Sequence, residues 1–288
     1  MTIKRSTFLR NWALGLGLSL ALAACGGAGD SGTPTADGED APAAAVEATE
    51  EAPEAASGGV LTVATEPAFP PFESQAENGE LEGFDIDLMN AIGEAAGVEI
   101  AFESLPFDGI IPALQAGTVD AAISAMTITE ERLQTVDFSR PYFKAGLAIA
   151  VQDETTDVKG LADLEGKKIA VQIGTTGADQ AAEIPGAEIS TFDSAPLALQ
   201  ELSNGNVDAV INDAPVTLDA IASGNIDGLQ VVGELLTTEF YGIALPKGTE
   251  NLAVINDALS TMLEDGTYAE IYQKWFGSEP PELPESAF

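Results

Sequence analysis

A ten-residue phrase occurs twice in this chain, and it constrains the fold more than any overall composition does. Leu114-Gln115-Ala116-Gly117-Thr118-Val119-Asp120-Ala121-Ala122-Ile123 is echoed by Leu202-Ser203-Asn204-Gly205-Asn206-Val207-Asp208-Ala209-Val210-Ile211, with Gly117 and Gly205 standing 88 residues apart. Each copy reads as a helix end, a glycine stop, then Val-Asp-Ala entering a buried strand. Two readings follow. The echo marks two lobes of related construction, or it is a phrase that α/β domains use often. In this register Ser124 and Ala125 correspond to Asn212 and Asp213.

The surrounding pattern is of the same kind. Strands are expected at 60–64, 98–102, 120–124, 168–172 and 208–211, and helices at 85–96, 107–116, 175–182 and 197–203. A strand and turn at 240–248 and helices at 251–264 and 265–276 close the chain. Strands alternating with helices define an α/β class with largely parallel sheets. In open α/β sheets, ligands sit beyond the carboxyl ends of the strands. Both echoed strands end in polar residues, Ser124 to Thr127 in one and Asn212-Asp213 in the other. If those ends face each other, a cleft carries Arg132 on one wall and Asp213 on the opposite one.

Arg132 stands at the start of an expected helix opening at Thr129, where Glu130 and Glu131 suit the dipole and an arginine does not. It is either paired with one of those acids or held for an outside anion. Asp213 precedes Ala214-Pro215, so it also reads as a helix cap. Gln172-Ile173-Gly174-Thr175-Thr176-Gly177 is a strand end, a glycine turn and a helix start, where free N–H groups suit a carboxylate as well as a phosphate. It has no Gly-Lys-Ser/Thr ending and is not a Walker loop. Glu66-Pro67-Ala68-Phe69-Pro70-Pro71-Phe72 cannot continue a regular ladder and reads as a rigid loop with one acid and two aromatics.

The first 25 residues read as a secretory signal. Lys4, Arg5 and Arg10 precede an apolar stretch from Trp12 to Ala21, too short for a membrane span. Leu22-Ala23-Ala24-Cys25 then ends in the one cysteine of the chain. It resembles a lipobox, in which the cysteine takes a lipid. Residues 26–58 are Gly, Ala, Ser, Thr, Pro and acids without a base, and read as a disordered acidic tether. The chain has no histidine and a formal net charge of −36. Histidine-based metal or catalytic sites and disulfides within the chain are therefore excluded, and nucleic-acid binding is disfavoured by charge repulsion. Acidity of this size is read as solubility or a saline habitat before any steering of ligands.

Several further motifs occur in one order: Gly83-Phe84-Asp85-Ile86-Asp87-Leu88, Phe107-Asp108-Gly109-Ile110-Ile111-Pro112, Met126-Thr127-Ile128-Thr129-Glu130-Glu131-Arg132, Val136-Asp137-Phe138-Ser139, Tyr241-Gly242-Ile243-Ala244 and Gly266-Thr267-Tyr268. Together they resemble the polar amino-acid family of extracytoplasmic solute-binding proteins of bacterial ABC transporters, over residues 59–277. The resemblance implies a two-lobe, type II periplasmic-binding-protein fold, each lobe a mostly parallel sheet flanked by helices. Lobe one is expected at 59–146 plus 240–277, lobe two at 147–239, and a flexible tail at 278–288. Two hinge strands would lie near 144–151 and 238–245.

The resemblance also implies roles. Arg132 would grip a ligand α-carboxylate, with Ser124, Ala125 and Thr127 lining the same head-group site. Thr175 and Thr176 would supply donors from the other lobe, and Asp213 would receive the α-ammonium. Phe69 and Phe107 would wall the side chain, while Glu66 contacts its distal end. Gln172 and Asn212 would tune specificity. The implied function is capture of a polar amino acid, with arginine, lysine or histidine ahead of glutamine, and delivery to an ABC permease. The expected protein is a monomer without cofactor, extracytoplasmic and anchored through lipidated Cys25. A sensor module, or a dehydratase on the same scaffold, stands as the alternative class.

Overall fold

The computed structural model describes residues 59–288. The signal at 1–25, its Cys25 and the tether at 26–58 lie outside the described residues. Among the described residues no helix is long and apolar enough to cross a membrane.

The echoed phrase turns out to be architectural. Each of two five-stranded sheets has its echoed strand in the centre. The first runs 99–104, 60–65, 121–122, 244–246, 136–138 in spatial order, and the second 188–192, 168–172, 209–213, 147–152, 229–232. Ala121 pairs in parallel with Val63, as Ala209 pairs with Ile169. Ala122 pairs antiparallel with Ala244, as Val210 pairs with Ala150. Corresponding residues therefore hold the same station in both sheets. Each sheet is mixed, parallel through three strands and antiparallel at the other two.

The aspartates of the phrase explain why it is repeated. Asp120 Oδ2 accepts from Thr62 N at 2.9 Å, and Asp208 Oδ2 accepts from Lys168 N at 2.8 Å. Each carboxyl thus ties the start of the central strand to its parallel neighbour, satisfying a backbone donor that the ladder does not reach. The preceding glycines end their helices at positive φ, 66° at Gly117 and 74° at Gly205.

Two crossings join the lobes as an antiparallel ribbon, Phe143–Ala145 against Glu239–Tyr241. Gly146 follows the first crossing. A Cβ there would lie 2.3 Å from the Thr237 carbonyl oxygen, so only glycine lets the two crossings approach this closely. Around the ribbon sits an aromatic cluster. Phe72 meets Phe143 edge to face at 4.8 Å, and Phe143 stacks on Tyr241 at 5.5 Å. The last helix, Thr267–Phe276, brings Tyr268, Tyr272 and Phe276 against Phe84 and Phe143. That is why the chain end returns to the first lobe: its aromatic face has a waiting partner. The second lobe has its own apolar clusters, one on each face of the sheet, around Ile149, Ile169 and Ile211 and around Leu199, Leu202 and Val210.

Three local expectations change. The helix expected from Thr129 is a single 3-10 turn, Arg132–Gln134. The Thr129 hydroxyl accepts from Arg132 N, the Thr135 hydroxyl donates to Arg132 O, and a strand begins at Val136. The proline-bearing stretch after Glu66 is not all loop. Ala68–Phe69, Glu73–Gln75 and Leu81–Glu82 form a small antiparallel sheet, with Pro70 and Pro71 in the turn outside its ladders. After Gly277 there is no helix or strand, yet Leu283 and Ala287 pack on apolar clusters of the first lobe.

Candidate functional site

Glu66, Phe69, Phe107, Ser124, Ala125, Thr127, Arg132, Gln172, Thr175, Thr176 and Asp213 line one small cavity of ≈ 20 Å³ between the two sheet ends. That is room for about one water molecule, so a solute the size of an amino acid enters only as the lobes move apart. Asn212 is absent from this lining. Successive strand residues face opposite sides, and the Asn212 amide donates to Thr217 Oγ1 at 3.2 Å instead.

Arg132 is half-buried. Its Nη1 donates to the Thr127 carbonyl at 2.6 Å and its Nη2 to the Gly174 carbonyl at 3.0 Å, so it spans the cleft. The Phe107 ring lies beneath it, 5.5 Å from the guanidinium carbon. Among the described residues no carboxylate lies within ion-pair distance of it. Burial lowers its pKa, while Asp179, Asp213, Glu239 and Glu131 act the other way. An arginine remains charged throughout. Neighbours that take hydrogen bonds without cancelling the charge leave it available to an anion. The surface ion pair with Glu130 or Glu131 that the sequence left open is not formed.

Asp213 ends its strand on the opposite wall and caps the next helix by position only, since its side chain makes no cap hydrogen bond. It accepts instead from the Tyr241 hydroxyl on the return crossing. Burial pushes its pKa up to about 7; the Tyr241 bond and Arg132 oppose this, and Glu239 adds to it. Thr175, by contrast, is a working cap, its hydroxyl accepting from Ala178 N at 3.2 Å.

At the other end Glu66 Oε2 accepts from the Gln172 amide at 2.8 Å across the cleft. Burial is again the main cause of a pKa raised to about 7, with Gln172 opposing it and Asp108 adding to it. Ser124 supports Glu66 from behind. Its hydroxyl accepts from Glu66 N and donates to Glu73 Oε1, both at 3.0 Å.

Sequence reasoning missed the layer under this wall. Glu73 and Asp85 are fully buried. Asp85 Oδ2 accepts from Ala125 N at 2.8 Å and from the Tyr142 hydroxyl at 2.7 Å. Ala125 holds a positive φ of 44°, and this bond fixes its N–H. Burial and mutual repulsion raise Glu73 well above the carboxylate range, while burial raises Asp85 to about 6. Two buried carboxyls side by side are stable when they share a proton. The signal was present in Gly83-Phe84-Asp85, where an acid sits on an otherwise apolar helix face.

Two related sheets, joined by a two-strand ribbon and meeting at a polar cavity, define a two-lobe solute-binding fold. The chain belongs to the bacterial extracellular solute-binding proteins, family 3, matched over residues 61–278. It is 37% identical over 271 residues to a probable histidine-binding protein of Neisseria gonorrhoeae, covering 91% of this chain and 92% of that one. Among solved structures it is similar to an ancestral arginine-binding protein bound to arginine, at 49% identity and TM-score 0.74, covering 76% of this chain and 98% of that one. It is also similar to the arginine-, lysine-, histidine-binding protein ArtJ of Geobacillus stearothermophilus, at 40% identity and TM-score 0.74, covering 76% and 96% of the two chains.

Proposed function

We propose that the chain captures a free basic amino acid (arginine, lysine or histidine) between its lobes and delivers it to the permease of an ABC transporter. One observation carries this reading. A guanidinium without an anion partner and a buried acid stand on opposite walls of one cavity, Arg132 and Asp213. A zwitterion satisfies both at once: Arg132 takes the α-carboxylate as a bidentate pair and Asp213 the α-ammonium. Phe69 and Phe107 wall the side chain, and Glu66 receives its distal cation. The names of the relatives support a basic ligand. Closure around the solute is a hinge motion in which binding shifts the population toward the closed form.

A second reading rests on Glu66. With its pKa near 7, the carboxyl can stand protonated beside the Gln172 amide, and the pair then suits the carboxamide of glutamine. Ligand choice at this end therefore depends on pH.

Outside the described residues, we assign Cys25 as a lipid anchor and residues 26–58 as the tether that holds a monomeric receptor near its permease. The role is binding without chemical change, without a cofactor. A thermal-shift screen against the twenty amino acids tests the capture reading. A ligand at 100 times its Kd adds about 2.7 kcal/mol. The largest shift is expected from a basic amino acid; no shift from any of the twenty contradicts the reading.

A further inference from the structure

We propose that Glu239 is a positioning residue for capture: it draws the lobes together through one hydroxyl from each, and so sets how fast a bound solute escapes. The inference rests on the capture reading above. Glu239 opens the return crossing, paired in register with Ala145, and is only 8% exposed. Its side chain stands behind the cavity lining. Oε2 accepts from Thr127 Oγ1 at 2.7 Å and from Thr176 Oγ1 at 3.0 Å. Thr127 belongs to the first lobe and Thr176 opens a helix of the second, and both line the cavity. The other oxygen, Oε1, accepts from Thr237 Oγ1 at 2.9 Å, and that hydroxyl accepts in turn from Leu147 N at 3.0 Å. The carboxyl is thereby anchored to both crossings of the hinge.

One oxygen holding donors from two bodies is a geometric constraint on their separation. Rotation of the lobes apart carries the Thr176 helix away from Thr127, and Oε2 cannot follow both. The contact is therefore made fully only in the closed arrangement. The Glu66–Gln172 bond also crosses the cleft, but both its groups face the cavity and must rearrange around a solute. Glu239 itself lies outside the cavity lining, where only its two threonine partners appear, so the acceptor keeps its place when the cavity fills. Interactions gained only on closing slow release and leave encounter unchanged, which is where most affinity differences between related complexes lie.

The test is stopped-flow release of L-arginine from the full chain and from Glu239→Gln. The amide keeps one acceptor oxygen and puts an NH2 donor where the other stood, so one set of hydroxyls must turn to accept, and the bonds to the remaining oxygen lose the help of the charge. Release is expected to quicken about tenfold or more, the worth of hydrogen bonds to a charged group, with the association rate unchanged. A variant releasing arginine at the wild-type rate overturns the tie and leaves the capture reading standing. A wild-type chain that takes up none of arginine, lysine and histidine overturns capture of a basic amino acid, and the tie with it. Thr176→Val and Thr176→Ser guard against misfolding of the buried variant. Valine should quicken release, and serine, which keeps the hydroxyl, should do so markedly less. Combined with Glu239→Gln, valine should add little, because both changes break one contact. An undiminished effect of valine in that background assigns Thr176 to direct solute contact and overturns the proposal.

Discussion

Tyr241, on the return crossing, donates its hydroxyl to Asp213 on the second-lobe wall of the cavity. A hinge residue thus orients the acid that we assign to the solute ammonium, and hinge geometry and recognition share one hydrogen bond. Tyr241→Phe removes that bond while keeping the ring in its aromatic cluster. Because the bond lowers the Asp213 pKa, its loss raises that pKa further. Affinity for the preferred amino acid should fall by about tenfold to a hundredfold, the range for a hydrogen bond to a charged group. Calorimetric titration at neutral pH checks this, and unchanged affinity contradicts the assigned role of the bond.

Burial raises Glu66 and Asp213 to about 7 from ordinary values of 4.5 and 3.8. The folded, solute-free chain therefore binds protons more tightly than the unfolded chain does. The stability these groups contribute is complete below their unfolded values and is lost as pH rises through about 7. Thermal unfolding without solute should show stability declining between about pH 4 and about pH 7. The double variant Glu66→Gln, Asp213→Asn should flatten that slope, leaving the part due to Glu73 and Asp85. A cationic solute, which favours the ionised carboxylates, should flatten it as well. A slope that is the same in wild type and double variant contradicts this account.

Gly146 tests the hinge. A methyl group at this position meets the Thr237 carbonyl oxygen at 2.3 Å, so the crossings must separate. Gly146→Ala should destabilise the chain by about 1–3 kcal/mol, as overpacking does. Chemical denaturation measures the loss. Wild-type stability would show that the crossings can separate without cost.

The echoed aspartates predict matched effects in the two lobes. Asp120→Ala and Asp208→Ala each strand one backbone N–H, at Thr62 and Lys168. Each should cost about 1–3 kcal/mol if the donor is left unsatisfied. The Lys168 site is the more exposed, so water should soften that loss. A larger loss at Asp208 than at Asp120 runs against this ordering.

Much of the fold was legible because its signals are local. Gly117 and Gly205 mark helix ends, and Val-Asp-Ala marks a strand entering the sheet centre. The cavity lining was legible through strand ends and the family motifs, which point to the Ser124–Arg132 stretch and to Asp213. Long-range contacts were not. Glu239 reads as one acid among 47, and only the hinge ribbon brings three threonine hydroxyls to it. Asp85 reads as the first turn of a helix, where acids are common, and its burial against Glu73 depends on the small sheet that the prolines concealed. The antiparallel strands were hidden for a similar reason: apolar runs such as Leu147–Val151 give no sign of strand direction.

The most direct measurement is calorimetric titration of the preferred amino acid into the wild type and Arg132→Ala. Arg132 makes its hydrogen bonds to two carbonyls and packs on Phe107, but it fills no apolar core. Its removal should leave the solute-free melting temperature nearly unchanged. Affinity should fall by about a hundredfold or more, because a bidentate charged pair with the α-carboxylate is lost. Equal affinity in the two proteins would contradict the central claim that this guanidinium receives the solute.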